Sequence, residues 1–483
     1  MRQTIAVGVL STCLLGLAQT GCSSVESLAQ EPTSHTAALT TGYSWDSDLP
    51  RLRDATEADC HFDSEKLVKR GSTLYRVYKV RFRSLESRGG VLTPIEIRGY
   101  AARPDAGSAR PGIVLAHGLG GSADESATIG LADRVSAFVL SYTGPGGGTS
   151  PDNTSQGTPA GNHDGYAIFD TLTDVRGSWI WGHTAAALRG LTCLATRPEV
   201  DSSRLGMTGY SAGSVATLLA TGADDRIRAG VALSGTLAWD VATQSPDAWQ
   251  HSLLQKAGLH TASREWQTLM TELIDPARAL SRTSGKLLLI NGTTDEFFPL
   301  TSTVSTLSAL PSIASGDKTR ISLAANFDHG CYKFTGVESA ATIESRAQLR
   351  SDGGQRLWFG NAFGTDSRFR TLPSSPQVSL IPVGASTLII ATVDEPSAFA
   401  IEDVRLFVSG DQSYVYSSIQ LDRDSSRSYR KLVAGTLPAA SVSFVDVQYK
   451  TRDLFFPVRF SLSSLPSIPS GLVPHIRSQT TCL

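Results

Sequence analysis

The pentapeptide Gly209-Tyr210-Ser211-Ala212-Gly213 is the stretch of this 483-residue chain best suited to chemistry. Upstream, Arg204-Leu205-Gly206-Met207-Thr208 reads as a short strand, and downstream Gly213 to Thr221 is small and apolar enough to start a helix packed on a sheet. A serine between the two sits on a sharp strand-to-helix turn with its hydroxyl exposed. Such a hydroxyl is a poor nucleophile at neutral pH, so it requires a base beside it and backbone N–H groups for the oxyanion it creates. The turn supplies one of these, from Ala212. In a chain with 44 glycines the five residues alone are weak evidence, and the surrounding elements must carry the rest.

Those elements are present on both sides. The uninterrupted apolar run Ile113-Val114-Leu115-Ala116 suits a buried parallel strand and ends in His117-Gly118-Leu119-Gly120-Gly121. Glycines there let the backbone aim its amides at a reacting carbonyl, and Leu119 is the expected second oxyanion donor. Lys286 to Ile290 is another buried-strand pattern, followed by Asn291-Gly292-Thr293-Thr294-Asp295; an acid just past a strand end can orient a histidine. Ile321-Ser322-Leu323-Ala324-Ala325 is the next strand, with His329 on the loop after it. The expected triad is Ser211 as nucleophile, His329 as base and Asp295 as acid. Each role has a rival: Ser211 as an ordinary turn serine, His117 as the base, and Glu296, Asp328 or Asp240 as the acid. The glycine run 144 to 148 lacks a following Lys-Ser or Lys-Thr for phosphate and reads as a tight loop at the rim of the site.

Residues from about 75 to 350 resemble the α/β-hydrolase superfamily, in which the triad follows the chain order Ser, Asp, His. The run Pro198 to Gly213 is similar to the approach to the nucleophile in the branch that holds acetyl xylan esterases, dienelactone-hydrolase-like enzymes and the catalytic domains of prolyl oligopeptidases. The resemblance implies a mostly parallel central sheet flanked by helices, an acyl-enzyme mechanism, and no metal or organic cofactor. HExxH, paired CxxC and dinucleotide-binding glycine motifs do not occur in the sequence. Two departures bear on substrate. Ser141-Tyr142 stands where the branch usually has an Asp after its second central strand, and Ala212 replaces a bulkier residue. Prolyl oligopeptidases usually carry a propeller ahead of the hydrolase domain, and too few residues precede the first strands here to build one. The expected activity is therefore carboxylic ester hydrolysis; a serine peptidase of the prolyl-oligopeptidase type and a non-catalytic surface-binding lipoprotein are the alternatives.

The remainder of the chain bears on where this chemistry is done. Residues 1–21 carry one positive charge, Arg2, ahead of an apolar stretch from Ile5 to Ala18, the pattern of an export signal. Thr20-Gly21-Cys22 resembles a bacterial lipobox, with Cys22 as the expected lipidation site and an outer-membrane lipoprotein as the expected product; a periplasmic or secreted protein is the alternative. Residues 22–42 read as a flexible tether. A net charge of −2 without a basic cluster argues against nucleic acid as a partner. The expected partners are a small or polymeric ester and, through the lipid, a membrane. Beyond Cys13 and Cys22 lie Cys60, Cys193, Cys331 and Cys482, whose pairing is open. Cys193 falls in an apolar helical stretch, where a buried thiol is the simpler reading. The hydrolase domain is expected over 43–352. Short alternating runs such as Val404 to Val408 and Ser443 to Tyr449 then predict an all-β sandwich, immunoglobulin-like or jelly-roll, over 353–483.

Overall fold

A computed structural model describes residues 42–161, 166–310, 318–329, 340–410, 415–437, 441–453 and 455–471. The export signal, Cys22, Cys331 and Cys482 lie outside the described residues.

Alternating polar and apolar residues in Tyr75–Phe82 and Ile95–Tyr100 predict two antiparallel strands, and the structure has them at greater length. After β1 (His61–Arg70), β2 (Thr73–Arg88) and β3 (Val91–Pro104) pair along their whole extent. The apolar runs that follow form β4 (Arg110–Ala116), β5 (Phe138–Tyr142), β6 (Val200–Tyr210), β7 (Ile227–Leu233), β8 (Lys286–Gly292) and β9 (Thr319–Ala324). From β5 through β4 and β6 to β9 neighbouring strands are parallel, and the spatial order is β1-β2-β3-β5-β4-β6-β7-β8-β9. Strands covered by helices on both faces have no polar side to present, which is why they read as continuous apolar runs. The covering helices are Glu125–Val135, Trp179–Ala195, Ala212–Ala223 and Ala340–Phe363.

Beyond the helix Ala340–Phe363 a short 3-10 turn, Ser367–Phe369, leads into strands: β10 (Gln377–Val383), β11 (Ser386–Thr392), β12 (Phe399–Ser409), β13 (Ser417–Gln420), β14 (Asp422–Arg423), β15 (Ser428–Ala434), β16 (Val442–Thr451) and β17 (Arg459–Ser463). Four of these, β10, β11, β15 and β14, form a separate sheet. The others continue the central sheet in the order β9-β17-β16-β12-β13, joined at one antiparallel pair, Ser463 with Ile321. Alternation along β12 and β16 turns Val404, Leu406, Val445 and Val447 into a common core with Ile389 and Ala391 of the separate sheet. That core also holds Leu357, Trp358 and Phe359 of the long helix and Val231 and Leu288 of the central strands. One layer of the C-terminal sandwich is therefore an extension of the hydrolase sheet.

Residues 352 and 353, the expected domain boundary, fall inside the helix Ala340–Phe363. Gly353-Gly354 at its middle would ordinarily weaken a helix by about 1 kcal/mol each. Here a Cβ on Gly353 would lie 1.8 Å from the Arg459 carbonyl oxygen, and one on Gly354 2.9 Å from Ile290 Cδ1, so the pair allows the helix to approach β17 and β8. The seam between β9 and β17 is closed by side chains where ladder bonds are few. Ser463 Oγ accepts the Leu323 N–H at 2.8 Å and donates to Asp446 at 2.7 Å, and the Ser322 and Ser461 hydroxyls meet at 2.8 Å. Arg350 donates to Asp446 at 3.0 Å and to the Leu323 carbonyl at 3.0 Å, with both charged groups buried. Leaving either charge buried alone would cost about 3–5 kcal/mol. A chain ending after Arg350 loses Asp446, β17 and the aromatic half of the helix. It is expected to be insoluble or to lack a cooperative thermal transition although Ser211, Asp295 and His329 all remain. A soluble truncated protein with wild-type ester turnover would contradict this.

Cys193, on the helix Trp179–Ala195, is bonded to Cys60 just ahead of β1, which corrects the expectation of a free thiol. The two are 133 residues apart, so loop-closure entropy places the stabilisation at up to about 5 kcal/mol.

Candidate active site

β6 ends at Tyr210 and the helix Ala212–Ala223 begins one residue after Ser211, so the turn between them is a single residue, Ser211. Its backbone is in a strained conformation, φ 57° and ψ −119°, held by a 2.9 Å hydrogen bond from the Ser211 N–H to the Leu233 carbonyl. The flanking glycines are required by close approach. A Cβ on Gly209 would lie 2.3 Å from the Gly213 carbonyl oxygen, and a Cβ on Gly213 2.3 Å from that of Ala116.

Three sequence-identified residues converge. His329 Nε2 lies 2.9 Å from Ser211 Oγ, and His329 Nδ1 lies 3.1 Å from each carboxylate oxygen of Asp295. Asp295 is fully buried and its Oδ1 also accepts the N–H groups of Phe297 at 2.9 Å and Phe298 at 2.8 Å. Those donors fix the carboxylate, and the carboxylate fixes the imidazole with Nδ1–H toward it and Nε2 free to accept from the serine. Burial works against a charged imidazole at His329. The Asp295 carboxylate beneath it, followed by Glu296 and Asp328, more than reverses this, and the ring titrates above the usual histidine range.

The oxyanion loop lies against the serine: a Cβ on Gly118 would be 3.1 Å from Ser211 Cβ. Ala212 opens a helix, where backbone N–H groups have no intrahelical partner and the dipole favours negative charge. Among the described residues, no hydrogen bond engages the N–H of either Leu119 or Ala212. His117, the rival base, is turned away from the serine's chemistry. Its Nδ1 bonds the Gly118 carbonyl at 2.6 Å and its Nε2 accepts the Gly144 N–H at 2.8 Å. Burial lowers it to about 4, with the Gly118 carbonyl partly opposing, so it stays neutral and clamps the oxyanion loop to the glycine run. His183, stacked on Trp179 at 4.6 Å, supports the loop from behind through a 3.2 Å bond to the His117 carbonyl.

Of the rival acids, Glu296 meets the His329 backbone and leaves the ring to Asp295; Asp328 is buried beside the histidine. Asp240 lies in the first turn of the short helix Trp239–Ala242. Sequence reasoning missed the residues that hold the imidazole from its other sides. The Phe297 ring stacks on it at 4.1 Å, with Trp249 against Phe297 at 4.7 Å, and the Tyr210 hydroxyl donates to the His329 carbonyl at 2.6 Å. The adjacent aromatic pair Phe297-Phe298, separated from the acid by Glu296, was the available signal. Trp239 and Trp266, from the same segment of short helices between β7 and β8, are core residues.

A serine on the elbow after β6, an acid after β8 and a histidine after β9 of a mixed sheet define an α/β-hydrolase. Within it, residues 185–344 match the prolyl oligopeptidase family, a span that contains Ser211, Asp295 and His329. No curated protein matches the sequence. Similar solved structures include acetyl xylan esterase 1 from Thermoanaerobacterium sp. JW/SL YS485, 17% identical over 63% of this chain and 94% of that one, TM-score 0.45. Another is the acetyl xylan esterase from Paenibacillus sp. R4, 17% identical over 63% and 91%, TM-score 0.47. The acylaminoacyl peptidase of Pyrococcus horikoshii is 15% identical over 57% and 46%, TM-score 0.40. At these values the likenesses decide nothing about substrate.

Proposed function

We propose that the protein is an exported serine hydrolase that cleaves carboxylic esters through an acyl-enzyme. The observation that supports this best is the continuous chain of contacts from Asp295 through His329 to Ser211, at 3.1 and 2.9 Å. In this reading His329 takes the Ser211 proton as the hydroxyl attacks the acyl carbon, and Asp295 holds the tautomer and stabilises the imidazolium. The N–H groups of Ala212 and Leu119 receive the oxyanion, each contributing about 3–4 kcal/mol at the transition state. His329 then protonates the leaving alcohol, and water repeats the cycle on the acyl-Ser211 ester.

The match of residues 185–344 to the prolyl oligopeptidase family supports a second reading, peptide hydrolysis. Against it, an ester demands less leaving-group protonation than an amide, so the triad is better matched to esters. Export is supported by the apolar stretch Ile5–Ala18 and by the Cys60–Cys193 bond, which suits an oxidising compartment. Cys22 is proposed as the lipid anchor.

The deciding experiment is a parallel assay of p-nitrophenyl acetate and butyrate against prolyl and aminoacyl anilides at one pH and salt. The esters are expected to show much the higher kcat/KM. A reversed preference would assign the protein to the peptidases, and no turnover together with no fluorophosphonate labelling would leave a non-catalytic binding protein.

A further inference from the structure

The four residues after Thr294 wrap the histidine. Asp295 takes Nδ1, Phe297 stacks on the ring at 4.1 Å, and between them the Glu296 side chain turns to the backbone, its Oε2 accepting the His329 N–H at 3.2 Å. The Glu296 carbonyl faces outward and accepts the Trp249 N–H at 3.0 Å, tying the helix Trp249–Lys256 to the same segment. From the opposite side Tyr210 donates to the His329 carbonyl. Both polar groups of the histidine's peptide backbone are therefore held by side chains, and one of those side chains is a carboxyl half-withdrawn from solvent.

A carboxyl in that place is costly. Burial, with the Asp295 carboxylate adjoining, pushes Glu296 up to about 7. Because its folded pKa lies above the unfolded one, the folded state binds the extra proton between about pH 4.5 and 7, and stability falls as pH rises through that window. A neutral glutamine could accept the same N–H without this loss. Among the charged and titratable groups that bear on Glu296 are Asp295 on its own segment and His329 on the facing loop, where Asp328 is buried beside the histidine. The helix packed outside meets it through the Trp249 backbone N–H.

We infer that Glu296 is a positioning residue whose ionised carboxylate both anchors the His329 backbone and adds a second negative charge for the imidazolium formed as Ser211 loses its proton. This rests on His329 being the base. Its charge is among those that raise the His329 titration, so removing it frees the neutral imidazole at lower pH and leaves the imidazolium less stabilised during attack.

The test is the pH dependence of ester hydrolysis by the full chain as wild type, Glu296→Gln and Glu296→Ala, with fluorophosphonate labelling and thermal unfolding alongside. For Glu296→Gln the acidic limb of kcat/KM is expected to move down by about half a unit to one unit, and plateau kcat to fall about tenfold with KM within about twofold. Its unfolding temperature at pH 8 should equal or exceed the wild-type value. Glu296→Ala, which also releases the N–H, should lose more. Profiles of Glu296→Gln that superimpose on wild type in limb and plateau would overturn the inference. So would a kcat loss matched by a lowered unfolding temperature with an unmoved limb. If the wild type itself is not labelled, the hydrolase reading fails first and takes this inference with it. A labelled wild type with superimposing profiles rejects the inference alone.

Discussion

Ser211→Ala is expected to abolish fluorophosphonate labelling and to lower ester turnover by about 10⁶-fold. In the proposed mechanism the hydroxyl is the atom that becomes the acyl ester, and the rival His117 is neutral and committed to Gly118 and Gly144. Folding should be untouched, because alanine keeps the backbone turn and Ser211 Oγ contributes one hydrogen bond, to a histidine that Asp295, Phe297 and Tyr210 hold independently. Residual activity of about 10³–10⁴ over water should persist from the oxyanion donors. Circular dichroism and thermal unfolding alongside the assay separate loss of chemistry from loss of structure. Labelling that survives in the variant would place the nucleophile elsewhere.

Asp295→Asn is expected to cost about 10⁴-fold in kcat through the wrong tautomer. The two backbone N–H groups of Phe297 and Phe298 both point at Oδ1, so an asparagine must keep its carbonyl oxygen there. That orientation puts its NH₂ where Oδ2 stood, 3.1 Å from His329 Nδ1. A donor at that point forces Nδ1 to accept and moves the ring proton to Nε2, which then donates to Ser211 instead of taking its proton. The pH profile distinguishes this from simple loss of charge. Raising the pH should not restore the variant, since the defect is the position of a proton on a neutral ring. Recovery toward wild-type kcat at high pH would contradict the tautomer argument.

The framework that brings Ser211, Asp295 and His329 together was legible in the sequence because its signals are local. Strands β4, β8 and β9 are short apolar runs closed by turn residues, and the loops that follow them carry the oxyanion backbone, the acid and the histidine in the order the fold requires. What escaped depended on long-range contacts. The edge strand β1 is mostly exposed and carries no clean alternation. The second half of the helix Ala340–Phe363 is masked by Gly353-Gly354, whose purpose appears only once Arg459 and Ile290 are seen against it. A buried thiol and a buried half-cystine look alike on an apolar helix, so Cys193 could be read correctly only with Cys60 beside it. The extension of the central sheet by β17 rests on one backbone pair and a set of serine hydroxyls, and the alternation of Arg459 to Ser463 marks a strand without saying which strand it joins. Glu296 and Phe297 read as neighbours of the acid; that they enclose His329 follows from the bend of the chain after β8.

Cys60 lies 133 residues ahead of Cys193 in the chain, with β1 to β5 between them. The cross-link closes the loop that holds those strands. When the exposed edge strand β1 frays, the bond keeps its root at the helix Trp179–Ala195, so the strand is searching a few ångströms for its place instead of the volume of an unfolded arm. The bond works as a return line for an exposed edge of the sheet.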